Sequence, residues 1–279
     1  MDLRLVYWYF TDSSWRQEFN RRRGRVSDFR KKQRQAITEI LSQHGDTIIG
    51  GPFKGMRFPA AHRKTSYCAQ VLLGTYEKEL SSIIEEICSQ DYSTIVDVGA
   101  ADGYYVGGFA MRNTTSQVLG FEADTSKHSF IHQLLRANDI HNVEIRGFCN
   151  SGELRELLRM HTNVLLMVDI DGGEMDLLDP GIVEELQRID MLVETHDILQ
   201  PGITKALIDR FKKTHDITCL ESHERAMIDL PTQVNLDEQT AIAAMDEFRG
   251  GIQIWMWMKA RSKYPERSLL DKETQSPVR

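Results

Sequence analysis

The chain has 279 residues, which suits one large α/β domain with an appendage, and its 41% apolar and 27% charged residues match an ordinary globular protein. The net charge is −7, and the longest apolar runs, 164–168 and 252–258, are far shorter than the roughly 20 residues that cross a bilayer. Because no cleavage-site pattern follows the aromatic start, the sequence predicts neither a membrane span nor a signal peptide.

The four cysteines, Cys68, Cys88, Cys149 and Cys219, are scattered along the chain and include no Cys-x-x-Cys pair. This spacing argues against a zinc site and against a disulfide framework. Unpaired cysteines usually pack as small apolar residues, and they persist in a reducing compartment. The sequence therefore predicts a cytoplasmic protein.

Residues 1–90 are predicted to form a mainly helical N-terminal extension or cap. Apolar periodicity indicates helices over 26–43 and over 80–87. Residues 16–34 hold nine Lys or Arg against two acidic residues, so this segment carries +7 and the rest of the chain −14. Such a basic segment could meet phosphate or an acidic partner, or it could be a solvated helix face or a mobile arm.

From residue 94, short β-branched runs alternate with helical patterns, which indicates βαβ units and a parallel sheet. The strands are almost continuously apolar, as expected when helices cover both faces of the sheet. Strands are predicted at 94–98, 117–121, 143–146, 163–169, 190–194, 216–220 and 252–258. Helices are predicted at 104–111, 126–137, 153–159, 181–187 and 204–212. We therefore expect a doubly wound, Rossmann-like α/β domain of seven strands over 91–260 and a C-terminal tail over 261–279.

In such a sheet the ligand lies beyond the carboxyl ends of the strands, so the residues that follow each strand are the site candidates. After the first strand, Gly99 and Gly103 permit a tight turn, and Asp97 precedes the first glycine by two residues. A pyrophosphate would require Gly-x-Gly-x-x-Gly. The acidic strand end instead suits S-adenosylmethionine (SAM), which has no phosphate but carries an amino group and a sulfonium. The candidate cofactor-binding residues here are Asp97, Gly99, Ala100, Ala101, Gly103 and Tyr104.

The second and third strands also end at candidate cofactor residues. Glu122 and Ala123 follow the second strand, where an acid can accept both ribose hydroxyls of a purine nucleoside. Phe148 and Cys149 follow the third strand, where an adenine ring would rest, and Phe148 could equally be a core residue.

Acidic residues follow the fourth strand. Asp169, Asp171 and Glu174 could form a reaction-centre loop that holds a divalent cation such as Mg²⁺, or they could simply begin the next helix, where the helix dipole favours acids. After the fifth strand come Glu194 and His196, and the ordinary pKa of a histidine suits a general base. The candidate catalytic residues are therefore His196, Asp169 and Glu194, and Asp169 is counted with the cofactor site as well.

At these motifs the sequence resembles the FkbM family of SAM-dependent methyltransferases, which implies the class I methyltransferase fold. The resemblance covers about residues 70–258. The motifs that carry it are Asp97-Val98-Gly99-Ala100 with Gly103-Tyr104, Phe121-Glu122, Asp169-Ile170-Asp171-Gly172-Gly173-Glu174, Glu194-Thr195-His196 and the upstream element Leu73-Gly74-Thr75-Tyr76-Glu77.

The resemblance implies methyl transfer from SAM to an oxygen of a small molecule or a sugar, with Glu122 on the ribose and with Asp169 and His196 facing the acceptor. Met167 stands where the family often has a lysine, and Asp171 stands where a glutamate is usual. The family's lysine could contribute to removing the proton of the acceptor. In this chain, His196 or a bound metal ion would have to remove that proton instead.

The stretch 222–251 between the last two strands is long and polar, and such loops are often lids or binding loops. With the N-terminal helices it is expected to roof the acceptor pocket. On the last strand, Trp255 and Trp257 alternate with other apolar residues, which is typical of a strand buried on both faces. Both tryptophans are therefore assigned to the core.

Three other interpretations of the sequence stay open. The basic stretch 16–34 favours a nucleic-acid methyltransferase, although the Asp-Pro-Pro-aromatic loop and the Pro-Cys element of such enzymes are both missing. Met167, in place of the family's lysine, mildly favours a catalytically idle SAM-binding protein. An NAD(P)-dependent dehydrogenase is disfavoured because the glycine spacing is wrong for a pyrophosphate.

Overall fold

A computed structural model describes residues 13–249 and 251–262, and it confirms the predicted doubly wound α/β sheet. The strands are β1 (Thr94–Val98), β2 (Gln117–Phe121), β3 (Val143–Arg146), β4 (Val164–Val168), β5 (Asp190–Thr195), β6 (His215–Glu221) and β7 (Ile254–Ala260). Their order across the sheet is β3-β2-β1-β4-β5-β7-β6. β7 runs antiparallel to both neighbours, and the other pairs are parallel. Residues 1–12 and nearly all of the predicted tail lie outside the described residues.

The parallel strands β1, β2, β4 and β5 bring their carboxyl ends to one edge of the sheet. In the register, Asp97 lies between Gly120 of β2 and Met167 of β4, and Met167 in turn pairs with Leu192 of β5. β1, β4 and β5 are buried along their whole length, as their apolar sequences predict. The strand order reverses between β1 and β4, because β2 and β3 are added on one side of β1 and β4 and β5 on the other. In this architecture a ligand is expected at that point.

Helices cover both faces of the sheet, and a core cluster fills each interface. On one face lie α1 (Ser13–His44), α2 (Cys68–Leu73), α3 (Ser81–Cys88), α4 (Tyr104–Arg112), α5 (Thr125–Ala137) and α9 (Glu238–Met245). On the other lie α6 (Ser151–Met160), α7 (Glu174–Leu177) and α8 (Ile203–Phe211). Trp255 and Trp257 are buried in the first cluster, which confirms their assignment to the core.

Side-chain caps set the start of the helices that follow β2 and β3. Asp124 caps α5 and accepts a hydrogen bond from the Ser126 amide at 3.0 Å. Asn150 caps α6 and accepts one from the Glu153 amide at 3.0 Å. Because these caps satisfy the first free amides of each helix, they keep the preceding residues in the strand-to-helix connections and out of the helices.

The structure corrects some predicted helices. The helix predicted over 181–187 is wrong, because Asp179 accepts a hydrogen bond from the Gly181 amide at 2.8 Å and forms a turn. A short 3₁₀-helix at Glu184–Arg188 follows instead. α2 and α9 were not predicted, since α2 is buried on every side and α9 is rich in buried alanine, so neither shows an apolar stripe.

The connection between β6 and β7 is anchored to the N-terminal helix. The rings of Phe29 in α1 and Phe248 lie 4.6 Å apart, and the Gln33 side chain donates to the Asp246 carbonyl at 3.2 Å. The connection predicted as one long loop over 222–251 therefore contains a helix, α9, which packs against α1, and the residues of this connection that reach the cavity follow that helix. Within the described ranges, no helix combines the length and the apolar character that crossing a membrane requires.

Candidate active site

A cavity of about 780 Å³ opens at the carboxyl edge of the sheet, where β1 and β4 diverge. Its wall is formed by the connections after β1 to β5, by residues from the segment 66–77, and by residues from 247–253. The predicted site residues that line it are Gly99, Ala101, Glu122, Ala123, Phe148, Cys149, Asp169, Glu194 and His196. The fold therefore brings seven of the eleven predicted cofactor residues and all three predicted catalytic residues to one cavity.

Four predicted cofactor-binding residues, Asp97, Ala100, Gly103 and Tyr104, do not line this cavity. Tyr104 is a core residue, because it is buried and its ring meets the edge of Phe53 with the centroids 5.2 Å apart. Gly103 has a φ of 93° and ends the turn before α4, a conformation that favours glycine. These residues shape the turn from behind the cavity wall.

The turn after β1 is held by the neighbouring strands. Gly99 has a φ of 100°, and a Cβ at this position would overlap the carbonyl oxygen of Asp169, so only glycine fits. The amides of Gly99 and Ala100 both donate to the Phe121 carbonyl at 2.9 Å. The turn thus places β1 directly against the start of the loop that follows β4.

Glu122 presents a rigid carboxylate at the end of β2. Its Oε2 accepts a hydrogen bond from the Ala101 amide at 2.8 Å, and its Oε1 accepts one from the Asp124 amide at 2.7 Å. Lys127 approaches with its Nζ 3.8 Å from Oε2. Because each carboxylate oxygen has two lone pairs, one acceptor position remains on each oxygen for a ligand with two adjacent hydroxyls.

His196 lies among four carboxylates and exposes only 9% of its side chain. Its Nδ1 lies 2.6 Å from Oε1 of Glu174, while its Nε2 lies 3.5 Å from Asp169, 3.5 Å from Asp171 and 3.7 Å from Glu194. An ionised carboxylate can only accept, so Nδ1 carries the proton and donates it to Glu174. The lone pair of Nε2 then faces the side of Asp169 and the cavity.

Glu174 holds this arrangement from inside the protein. It is fully buried, and its Oε1 also accepts a hydrogen bond from the Gly172 amide at 3.1 Å. Burial raises the pKa of Glu174, but the hydrogen bonds from His196 and the backbone outweigh it and lower that pKa. For His196 burial lowers the pKa, whereas the bond to Glu174 and the charge of Asp169 raise it, with a net upward shift. Glu174 therefore orients the imidazole and stabilises its protonated form.

Carboxylates lie at the floor of the cavity (Asp169 and Glu194) and directly behind it (Asp97), across β1, β4 and β5. Burial, then the charges of Asp169 and Glu77, raise the pKa of Glu194 to about 10. Burial, with the charges of Asp169 and Glu122, raises the pKa of Asp97 to about 8. Burial also raises the pKa of Asp169. Glu194 therefore carries the proton that it shares with Asp169, since two adjacent carboxylates rarely ionise together.

Three of these groups could also hold a metal ion. One ligand atom each from Asp169, Asp171 and His196 lie within 4.8 Å of one another. Two carboxylates and one imidazole are an acceptable partial ligand set for a divalent cation. Binding of Mg²⁺ at this site therefore stays a prediction. If the ion binds, Nε2 of His196 is one of its ligands and cannot accept a proton.

Known proteins resemble this chain in structure and not in sequence. The sequence matches no protein-family profile and no curated protein. An rRNA methylase from Streptococcus thermophilus is 12% identical over 66% of this chain and 98% of its own, with a TM-score of 0.43. A precorrin-6y C5,15-methyltransferase from Geobacter metallireducens is 12% identical over 65% of this chain and 88% of its own, with a TM-score of 0.41. Likenesses this distant do not bear on the activity, so the FkbM resemblance stays a prediction.

The structure adds cavity residues that the sequence reasoning did not assign. Tyr67, Tyr76 and Glu77 come from the segment before the sheet, and Glu247 and Arg249 come from the connection after α9. The signal for Tyr76 and Glu77 was present in the Leu-Gly-x-Tyr-Glu element, although no role was attached to it. Arg249 and Glu247 had no local signal, because their position depends on how the β6–β7 connection folds back.

Arg249 forms ion pairs with three glutamates of the cavity wall. Its Nη2 lies 2.9 Å from Glu77 and 2.6 Å from Glu247, and its Nη1 lies 3.5 Å from Glu194. Arg225 extends the network, with its Nη2 2.6 Å from Glu247. The network joins the segment 66–77, β5 and the β6–β7 connection around one side of the cavity.

Proposed function

We propose that this chain is a SAM-dependent methyltransferase that methylates a hydroxyl of a small molecule or a sugar. The observation that carries this is that Glu122 and His196 line the same cavity. Glu122 keeps acceptor positions for two adjacent hydroxyls, and His196 is oriented by Glu174 as a base. A ribosyl cofactor and a proton acceptor can therefore act on one bound substrate.

The residues present fit SAM. The cavity volume of about 780 Å³ lies within the usual range for ligand sites and leaves room for an acceptor beside the cofactor. Phe148 offers an exposed ring to an adenine base, with 71% of its surface accessible. Oδ2 of Asp97 is buried behind the β1 turn with no hydrogen-bond partner among the described residues. A cofactor with a sulfonium and an amino group would favour the ionised form of this carboxyl, which burial alone disfavours.

In this mechanism the protein positions two groups and moves one proton. When bound, SAM supplies a methyl group on a positively charged sulfur that leaves as a neutral thioether. Glu122 would hold the ribose hydroxyls of the cofactor and so orient it. Nε2 of His196 would accept the proton of the acceptor hydroxyl, and Glu174 would stabilise the imidazolium that forms.

Calorimetric titration of SAM and S-adenosylhomocysteine tests the cofactor site. We expect wild type to bind both, and Glu122→Ala to bind them roughly 10- to 100-fold more weakly, because it loses hydrogen bonds from the ribose to a charged group. Glu156→Ala, which removes an exposed acid from α6, is the matched control and should bind as wild type does. Absence of binding by wild type would contradict the proposal.

A divalent cation at Asp169, Asp171 and His196 is the competing role for this cluster. The two roles differ in their response to chelation, because a metal-bound Nε2 cannot serve as the base. If EDTA abolishes methyl transfer and Mg²⁺ restores it, the reaction is metal-assisted and His196 is not the base. Methyl transfer that EDTA leaves unchanged supports His196 as the base.

The other interpretations have distinct outcomes. Methyl transfer to RNA or DNA with binding that weakens steeply as salt rises would establish a nucleic-acid acceptor. SAM binding without turnover of any acceptor would establish an idle binding protein. The proposal also includes a reducing compartment such as the cytoplasm, because all four cysteines are unpaired.

A further inference from the structure

One side of the cavity is strongly acidic. We define the acceptor end as the lining residues Tyr67, Tyr76, Glu77, Glu194, Glu247 and Arg249. Its three glutamates expose 3 to 7% of their side chains, so they are almost entirely withdrawn from water. Asp169 lies beside Glu194 and adds a fourth carboxylate to the same side. Three buried carboxylates beside a partly exposed fourth require compensating positive charge or bound protons.

The arginines of the structure compensate this charge only in part. Arg249 is 2.6 Å from Glu247 and 2.9 Å from Glu77, but its distance to Glu194 is 3.5 Å. Arg225 also reaches Glu247, yet its Nη2 lies 2.5 Å from Glu79, so it is shared with a further buried acid. Burial raises the pKa of Glu77 to about 7, as expected for a carboxylate whose charge is only partly compensated.

Bound SAM would not supply all of the missing positive charge. SAM carries a sulfonium and an ammonium against one carboxylate, so it adds one net positive charge. If Asp169 and the three glutamates of the acceptor end are all ionised, they exceed Arg249 by three charges, and SAM would leave two of them. In the ligand-free cavity the proton that Glu194 and Asp169 share meets part of this charge. A second ligand that is itself a cation would take the place of that proton.

The acceptor end also has an aromatic wall. The rings of Tyr67 and Tyr76 stack with their centroids 4.9 Å apart and their planes at 27°. Phe248, about half exposed, lines the cavity next to Glu247 and Arg249. Aromatic rings attract ammonium groups through their negative faces, and the attraction is largest where water is displaced. Carboxylates and aromatic rings in one wall are the arrangement that binds an organic cation.

We propose that the methyl acceptor is an amino alcohol, such as an amino sugar, whose protonated amine binds at the acceptor end while its hydroxyl faces His196. This inference rests on the proposed function and names its substrate class. Glu194 is the specificity-determining carboxylate, because its contact with Arg249 is the longest in the network. A neutral sugar or alcohol would leave Glu194 with only its 3.5 Å contact to Arg249 and its 3.7 Å contact to His196.

Matched pairs of alcohols test the inference on the intact protein saturated with S-adenosylhomocysteine. The pairs are glucosamine and glucose, ethanolamine and ethylene glycol, and tyramine and 4-ethylphenol, each titrated calorimetrically at pH 7. We expect the amine to bind at least 10-fold more tightly than its neutral partner in at least one pair, because a hydrogen-bonded charge pair replaces a neutral contact. Equal or absent binding of both members in every pair overturns the inference.

Two glutamine variants assign the effect to a residue. In Glu194→Gln, which keeps the shape but cannot become a carboxylate when an ammonium binds, the preference for the amine should disappear while S-adenosylhomocysteine still binds. Glu221→Gln removes an exposed carboxylate from β6 and should keep the preference of wild type. Retained cofactor binding without any amine preference in wild type would refute the inference and leave the proposed function standing. Loss of cofactor binding by wild type would instead refute the proposed function.

Discussion

The contact between His196 and Glu174 predicts how the reaction depends on pH. Glu174 is fully buried, and its carboxylate accepts the Nδ1 proton of His196 at 2.6 Å. Glu174→Gln keeps an oxygen at this place but removes the charge that favours the imidazolium. A hydrogen bond to a charged group contributes roughly 1.5–3 kcal/mol, so we expect kcat to fall roughly 10- to 150-fold. The same loss should lower the pKa of His196, because the hydrogen bond to the Glu174 carboxylate is one of the contacts that raise it.

The assay is the rate of methyl transfer from labelled SAM, measured from pH 5 to pH 9. A base acts in its deprotonated form, so the rate rises with pH through the pKa of His196. Because Glu174 raises that pKa, the rise should occur at lower pH in Glu174→Gln and end at a lower plateau. Glu185→Gln, which removes another buried carboxylate, 2.8 Å from Arg159, should leave the profile in place. An unchanged profile in Glu174→Gln, or a loss confined to SAM binding, would refute this role of Glu174.

Three further predictions concern stability. The raised pKa of Asp97 makes the folded, ligand-free protein lose stability as pH rises from about 4 to about 8, so Asp97→Asn should raise the melting temperature at pH 8 and raise it less at pH 5. Gly99→Ala should destabilise by about 3 kcal/mol or more in urea unfolding, whereas Gly147→Ala, which has open space around it, should cost about 1 kcal/mol or less. Arg225→Met leaves two buried glutamates without their arginine and should lower the free energy of unfolding by about 3–5 kcal/mol. Arg261→Met breaks an exposed ion pair and should lower it by less than about 1 kcal/mol. Equal effects within either matched pair, or a pH-independent change in Asp97→Asn, would contradict these predictions.

Most of the sheet could be predicted from the sequence because its central strands, β1, β4 and β5, are short and largely apolar runs with turn signals beside them. The residues after β1 and β2 were recognisable for the same local reason, since Gly99 is required by backbone geometry and Glu122 follows its strand directly. α2 could not be recognised because burial on all sides removes the periodicity that marks a surface helix, and α9 could not because its buried face is largely alanine. Tyr104 was assigned to the cofactor site by its motif, although its side chain turns into the core.

The sequence by itself therefore determined the order of the elements, the glycine turn and the set of acids at the strand ends, all of which depend on residues close together in the chain. Only the tertiary structure decided which charges meet. Glu174 becomes the partner of His196, and Arg249 reaches Glu77 across 172 residues of sequence. The physical reason is that burial and distance set the strength of an ionic contact, and both arise only when the segment 66–77 and the β6–β7 connection close around the sheet edge.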